Sequence, residues 1–231
     1  MEDREALPNH SSAPLPLRDL PWTQRNLYRG VSIFREGDRA DLVFLLESGL
    51  VKLSRQADSH RKTIVRLVRP GELIGDRTLS HVGHQRYTAE ALADSVVLEV
   101  TREQFRLACA ASTATLAWVT EQVEERLAEV ERRIELISFA RVELRLLALL
   151  ADLAEATMAA SDLPPDNVQI PLSQAEIAQL IGATRETAST TLNLLARRGL
   201  LRLSRRQVEV VSLRAVRDAS LVTNRAVAAH A

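Results

Sequence analysis

Cysteine is almost absent. With Cys109 alone among 231 residues, no internal disulfide can form, and a cysteine-built metal site or iron–sulfur cluster lacks its ligands. Cys109 itself sits in an alanine-rich helical run and reads as a small buried residue. Long apolar runs are missing as well: none approaches the roughly 20 residues of a membrane span, and the acidic N-terminus has no signal-peptide pattern. Net charge is lacking too, because 30 Lys and Arg balance 30 Asp and Glu. Any attraction to nucleic acid must therefore come from local segregation of charge. No nucleophile–base pair, P-loop, dinucleotide fingerprint or metal-spaced histidines occur, which argues against an enzyme. These absences leave a soluble cytoplasmic protein without a membrane partner, long enough for one large or two medium domains.

What is present is concentrated between Ile170 and Leu201. Ser173-Gln-Ala-Glu176 is a capping box, in which a hydroxyl and a carboxylate each satisfy a backbone N–H freed at a helix start. Ile177, Leu180 and Ile181 form one face of that helix, and Gly182 can take the backbone angles that end it. Thr184 then caps a second helix whose inner stripe is Ala188, Leu192 and Leu195, leaving Arg185, Glu186, Ser189 and Thr190 outside. After Gly199, Leu200–Leu203 and Val208–Val211 read as two strands around Ser204–Gln207, the wing of a winged helix-turn-helix. An ordinary helical hairpin explains the caps but not the wing. Between Ile170 and Val211 six arginines face three glutamates, so positive charge gathers where phosphates would lie. Double-stranded DNA is the partner this pattern fits.

Upstream, residues 1–21 are rich in Pro, Ser and charge and read as a mobile or loosely docked arm. Residues 22–109 carry short apolar runs (Val31–Phe34, Leu42–Leu46, Leu50–Leu53, Ile64–Val68, Val96–Val100) broken by Gly37-Asp38, Ser48-Gly49 and Pro70-Gly71. Such spacing predicts an antiparallel barrel or roll. Thr101–Gln104 is a second capping box and opens a helical stretch. Over 110–138, Leu116, Val119, Val123, Leu127, Val130, Ile134 and Ile137 recur at steps of three and four with charged flanks, close to a heptad seam. The seam predicts a dimer helix, part of which packs on its own roll. A two-fold dimer would place paired recognition helices about 34 Å apart on a palindromic operator. A hinge is expected near Ser138–Ala140, a DNA-binding domain over 139–213 and a helical extension over 214–231. The predicted fold class is thus α+β: an antiparallel β-roll, a long dimerisation helix and a C-terminal winged helix-turn-helix.

In this order the elements resemble the CRP/FNR superfamily of bacterial transcription regulators, over about Leu27–Val211. Its most specific parts are Gly182-Ala-Thr-Arg185-Glu186-Thr187, similar to the family's recognition-helix start, and Gly71-Glu-Leu-Ile-Gly75-Asp76, similar to its phosphate-binding cassette. The resemblance implies a homodimeric regulator, an activator on some promoters, with RNA polymerase as a further partner. In members that read a TGTGA-like half-site, two arginines and a glutamate contact bases. Arg185 and Glu186 match the first arginine and the glutamate, whereas Thr190 stands at the second arginine's position. An arginine fork suits guanine O6 and N7, and a carboxylate accepts from cytosine N4; Thr190 predicts altered reading at one position, and Ser189 is a further base or phosphate contact. Ser173, Thr184, Thr187, Arg197, Arg198, Arg205 and Arg206 are placed as phosphate contacts, which position without specifying.

The effector region departs further from the family pattern. In cyclic-AMP sensors of the family a glutamate bonds the ribose, an arginine and a following hydroxyl residue meet the cyclic phosphate, and a Thr-Ser pair contacts adenine. Beyond Gly75, the matching positions here are Asp76, then Arg86 followed by Tyr87 and Thr88, and Val130-Glu131 on the long helix. A pocket built for polar contacts discriminates strongly against losing one, so these changes argue against tight cyclic-AMP binding. Cyclic AMP stays open as a cofactor, as does a roll that needs no ligand, with Arg86 paired to Asp76 or Glu90. Haem on His81 or His84 and a small carboxylate on Arg86 and Arg77 are weaker readings. A cyclic-nucleotide-type sensor that regulates a protein partner is the competing class, and the basic winged segment argues against it.

Overall fold

In the computed structural model, residues 15–58, 61–75, 83–161 and 166–228 are described. Asp76, Arg77, His81 and the first part of the arm lie outside them. The chain divides into two compact units, Met1–Ala128 and Glu129–Ala231.

The first unit is built on β1 (Thr23–Leu27), β2 (Ser32–Phe34), β3 (Leu42–Ser48), β4 (Val51–Asp58), β5 (Arg61–Val68), β6 (Leu73–Ile74), β7 (Thr88–Ala91) and β8 (Ser95–Thr101). They form two antiparallel four-stranded sheets, ordered β1-β8-β3-β6 and β2-β7-β4-β5. Strand β3 explains why the roll holds together. Its side chains alternate between two cores: Phe44 and Leu46 join Leu27, Val51, Val68, Ala89 and Val97 between the sheets, while Val43 and Leu45 join a second cluster. That second cluster contains Leu17 of α1 (Leu15–Arg18), Phe105 of α2 (Arg102–Ala111) and Trp118 and Val119 of α3 (Thr113–Phe139). A strand buried on both faces must be apolar throughout, which is how Leu42–Leu46 reads.

The five runs expected as strands are all strands. Three further strands carry no sequence signal: β1 is an edge strand with mainly polar side chains, β6 has two residues, and Thr88-Ala-Glu-Ala91 has better helix than strand propensity. Pairing with β4 and β2 overrides that propensity in β7. The end of the expected arm is docked: Leu17 is buried, and its carbonyl accepts a 2.6 Å bond from Trp22 Nε1. The helical stretch after Thr101 also differs, being interrupted at Ser112, which is extended (φ −142°, ψ 117°). Ser112 Oγ accepts from Thr115 N–H at 3.2 Å and starts α3 afresh. The box at Thr101 forms as read, with Gln104 N–H bonded to Thr101 Oγ1 at 3.3 Å.

In the second unit, α4 (Val142–Ser161) is buried along Leu146, Leu147, Leu150 and Leu153. Against it pack α5 (Gln174–Ile181), α6 (Arg185–Arg197) and α7 (Leu213–Ala228), the last through Val216 and Ala219 and an Arg217–Glu155 ion pair. The expected C-terminal helix is therefore folded onto α4. A three-stranded sheet, β10 (Leu201–Leu203), β11 (Val208–Ser212) and β9 (Asp166–Ile170) in that order, completes the wing. The wing turn closes with Ser204 N–H on Gln207 O at 3.0 Å. β9 is an addition to the two strands read from sequence; Val168 and Ile170 alternate inward and pair with β11.

Gly49 shows how tightly the roll closes. Its φ is +95°, and a Cβ there would lie 2.6 Å from Asp94 O and 2.7 Å from Ser95 Cα. Gly49→Ala is expected to destabilise the protein by about 2 kcal/mol or more, from backbone strain and collision together. Urea unfolding measures it, and an unchanged midpoint would contradict this packing.

Candidate functional site

The helix-turn-helix is assembled from helix ends. Ser173 Oγ accepts from Glu176 N–H at 3.3 Å and donates to Glu176 Oε2 at 2.8 Å, while Ser173 N–H reaches the same carboxylate at 2.9 Å. The expected capping box thus forms, and Gly182 ends α5 in the left-handed conformation (φ 65°, ψ 43°). Thr184 Oγ1 then accepts from Thr187 N–H at 3.2 Å and lies 3.0 Å from Thr187 Oγ1. Ala188, Leu192 and Leu195 are fully buried under α6. Arg185, Glu186, Thr187 and Thr190 are exposed and Ser189 is half-buried on the outer side. Asn193, also exposed, donates to Ser189 O at 2.8 Å; neither its type nor its spacing singles it out in the sequence.

The arginines do not share one environment. Arg198 Nη1 lies 2.6 Å from Glu143 Oε1 of α4, and Arg202 Nη1 lies 2.5 Å from Glu209 Oε1 and 3.1 Å from Asn167 Oδ1. Glu209 also accepts from Gln169 Nε2 at 2.7 Å, so a row runs across the three wing strands. Arg185, Arg197 and Arg205 have no ion-pair partner among the described residues, and with Arg206 they are exposed. A charge count along the chain misses this sorting, because Glu143 lies outside the counted segment.

On α3, Leu116, Val123, Leu127, Val130, Ile134 and Ile137 are 44–58% exposed. Val119 departs from the expected seam: at 7% exposure it belongs to the helix-covered core of the roll. The first turns of α3 use that residue to hold the roll, and self-packing takes it away from the open face. Glu131 beside Val130 is exposed.

In the cassette, Gly75 has φ +82°, and a Cβ there would lie 3.1 Å from Leu42 O. Arg66 stands in register with Leu53, an interior residue, and its side chain is only 10% exposed and ion-paired with Glu72 across the turn. Arg86 is exposed and has no polar partner among the described residues. It does not pair with Glu90, which is held instead by Lys52 at 2.8 Å and Lys62 at 3.2 Å. Burial pushes the Glu90 carboxyl up, but the two lysines outweigh it and hold its pKa below the ordinary value. Tyr87 packs against the interior cluster, and Thr88 Oγ1 already accepts from Glu36 N–H at 3.1 Å. His84 Nδ1 is 2.8 Å from Gly37 O. Among the described residues no group of three His, Cys, Asp or Glu gathers as a metal site, and no helix is long and apolar enough to cross a membrane.

A β-roll followed by a long helix and a winged helix-turn-helix is the layout of a sensor joined to a DNA-reading head. Two family models match accordingly: the cyclic nucleotide-binding domain over residues 24–112 and the Crp-like helix-turn-helix domain over residues 144–219. The chain is 30% identical over 195 residues to the cyclic AMP receptor protein of Thermus thermophilus, covering 83% of this chain and 85% of that one. It is 28% identical over 182 residues to a CRP-like cAMP-activated global transcriptional regulator of Mycobacterium tuberculosis, covering 78% and 80% of the two chains. The crystal structure of a CRP-family transcriptional regulator from Thermus thermophilus superposes with a TM-score of 0.71 at 25% identity, over 85% of this chain and 96% of that one. The chain belongs to the CRP/FNR family of transcription regulators, which are not enzymes.

Glu186 carries a checkable electrostatic signature. Its own backbone N–H at the helix start, then the Thr184 hydroxyl and the Arg185 charge, hold its carboxyl below the usual range. A depressed pKa keeps the carboxylate ionised at neutral pH and loses it only as pH falls through the lowered value. An NMR titration is expected to place the Glu186 midpoint below the about 4.3 of a free side chain, returning towards it in Thr184→Ala. A midpoint above the free value would contradict the capping geometry.

Proposed function

We propose that the chain acts in the cytoplasm as a homodimer that reads a palindromic, TGTGA-related operator through α6 and acts on RNA polymerase, as an activator on some promoters. The observation that carries this reading is the first turn of α6. Arg185 and Glu186 stand exposed beside each other, and Arg185 has no ion-pair partner among the described residues. A helix-turn-helix delivers this part of its second helix to base edges. Arg185 would take guanine, Glu186 cytosine, and Thr190, a threonine where the pattern has arginine, would relax one position, with Ser189 beside it. Arg197, Arg205 and Arg206 supply phosphate contacts; Arg198 would have to exchange Glu143 for a phosphate, and Ser173, Thr184 and Thr187 would contact phosphate while keeping their caps. We assign residues 22–109 to the sensor, 110–138 to dimerisation and 139–213 to DNA binding, after an N-terminal arm over 1–21 and before a C-terminal extension over 214–231.

The roll serves either without an effector or with a ligand other than cyclic AMP. Val130-Glu131 offers no hydroxyl at the adenine-contacting position of the family pattern. Cyclic-AMP dependence is the second reading, supported by the exposed Arg86 and by the relatives named for cyclic-AMP activation. Regulation by either ligand requires different affinities for two dimer arrangements.

Selection of DNA sites from a random pool, with and without cyclic AMP, tests both readings. Enrichment of one palindrome in both arms is expected; enrichment only with the nucleotide would establish the second reading instead. On the selected site, Arg185→Ala is expected to cost about 1–3 kcal/mol and relax one base position, whereas Arg205→Ala weakens all sequences alike and lowers the salt slope by about 1. Unchanged specific binding in Arg185→Ala would reject this orientation of α6. For the dimer, Leu127→Glu on the exposed seam is expected to shift the sedimenting species from dimer to monomer with the fold retained. A dimer that persists would place the interface elsewhere.

A further inference from the structure

The carbonyl end of α5 is held from outside the helix-turn-helix. A helix end leaves its last carbonyls without intrahelical partners. Backbone N–H groups supply two of them, Ala183 to Ala178 O at 3.0 Å and Gly182 to Gln179 O at 3.4 Å. Further bonds come from two arginines on other helices. Arg133 Nη2 of α3 donates to Gln179 O at 3.3 Å, and Arg145 Nη1 of α4 donates to Ile181 O at 2.9 Å and Gly182 O at 3.5 Å. One turn beyond Arg133, the Ile137 side chain closes on Gly182, where a Cβ would meet its Cδ1 at 3.4 Å. Neighbouring Arg132 ties α3 to α4 through Asp152 at 2.7 Å.

Cations at a helix C-terminus complement its dipole as well as its free carbonyls. Both guanidiniums are half-buried rather than spread on the surface. Burial pulls the Arg133 pKa below its ordinary value, with Glu129 acting in the opposite direction; a guanidinium remains a cation at neutral pH even so. Only Gly182 and Ala183 separate α5 from the Thr184 cap of α6. So short a turn leaves little freedom, and the direction of α6 follows from where the end of α5 is fixed.

We propose that Arg133 and Arg145 are positioning residues for base recognition: by gripping the carbonyls of Gln179, Ile181 and Gly182 they aim α6 without touching DNA. The proposal rests on α6 being the base-reading helix. It also makes the last two turns of α3 part of the reading head. Ile137 is at once an exposed seam residue and the neighbour of Gly182, so a shift of these turns reaches the recognition helix through named contacts.

The test uses the full chain with Arg133→Met, Arg145→Met and the corresponding lysine variants, alongside Arg185→Ala. Binding to the selected palindrome and to an unrelated duplex is followed across a salt series, together with thermal melting. Each methionine variant is expected to lose about tenfold in affinity for the palindrome. Binding to the unrelated duplex and the salt slope stay unchanged, and lysine, which can still donate to a carbonyl, restores most of the loss. Equal loss on both duplexes overturns the proposal: with a slope lowered by about 0.9 the arginine is a phosphate contact, and with a lowered melting temperature it is only a stabilising group. Loss with Arg185→Ala but not with the methionine variants overturns the positioning role alone. If Arg185→Ala has no effect, the premise about α6 fails and the proposal with it.

Discussion

Backbone groups left unpaired at helix ends are the constraint around which the DNA-reading head is built. Between Ser173 and Thr187 the chain starts a helix, stops it, turns and starts another, so polar groups are exposed three times in fifteen residues. Each is met by a specific side chain or turn: the Ser173–Glu176 box, left-handed Gly182, the Thr184 hydroxyl, and the guanidiniums of Arg133 and Arg145. Losing a side-chain cap of this kind costs about 0.5–2 kcal/mol. The geometry of the turn is therefore set by capping, while Ala188, Leu192 and Leu195 fix which side of α6 faces outward.

A chain with no net charge can still present a cationic surface, provided that its carboxylates are engaged elsewhere. In the wing and its neighbourhood the ion pairs fall on Arg198 and Arg202, whose partners Glu143 and Glu209 come from other elements. Arg185, Arg197 and Arg205 remain for solvent or phosphate. Exposed ion pairs of this type add little stability; their consequence is which arginines remain available and which do not.

The roll uses its charged residues differently. Arg66, set in register with interior Leu53, turns its guanidinium to Glu72, and Glu90 is shared by Lys52 and Lys62. These pairs fix the strands around the cassette by interactions internal to the roll. Arg86, by contrast, stays exposed without a polar partner among the described residues. Two residues on, Thr88 Oγ1 accepts from the Glu36 backbone N–H, which ties β7 to the turn after β2.

Local chemistry was legible in the sequence. Capping boxes at Thr101 and Ser173, the left-handed stop at Gly182, five strands of the roll and the inner stripe of α6 depend on residues a few positions apart, and all form. The order of these elements sufficed for the family. What tertiary structure decided are contacts between distant segments. Thr88–Ala91 is a strand because β4 and β2 flank it, Val119 is buried because α2 and β3 lie beside it, and Ser112 divides a helix that periodicity leaves continuous. Arg133 reads as a charged flank of the seam, yet its guanidinium ends on Gln179, forty-six residues away. Spacing along one helix reports which face a side chain occupies, not which distant carbonyl that face will meet; only the packing of α3 and α4 against α5 supplies the second half.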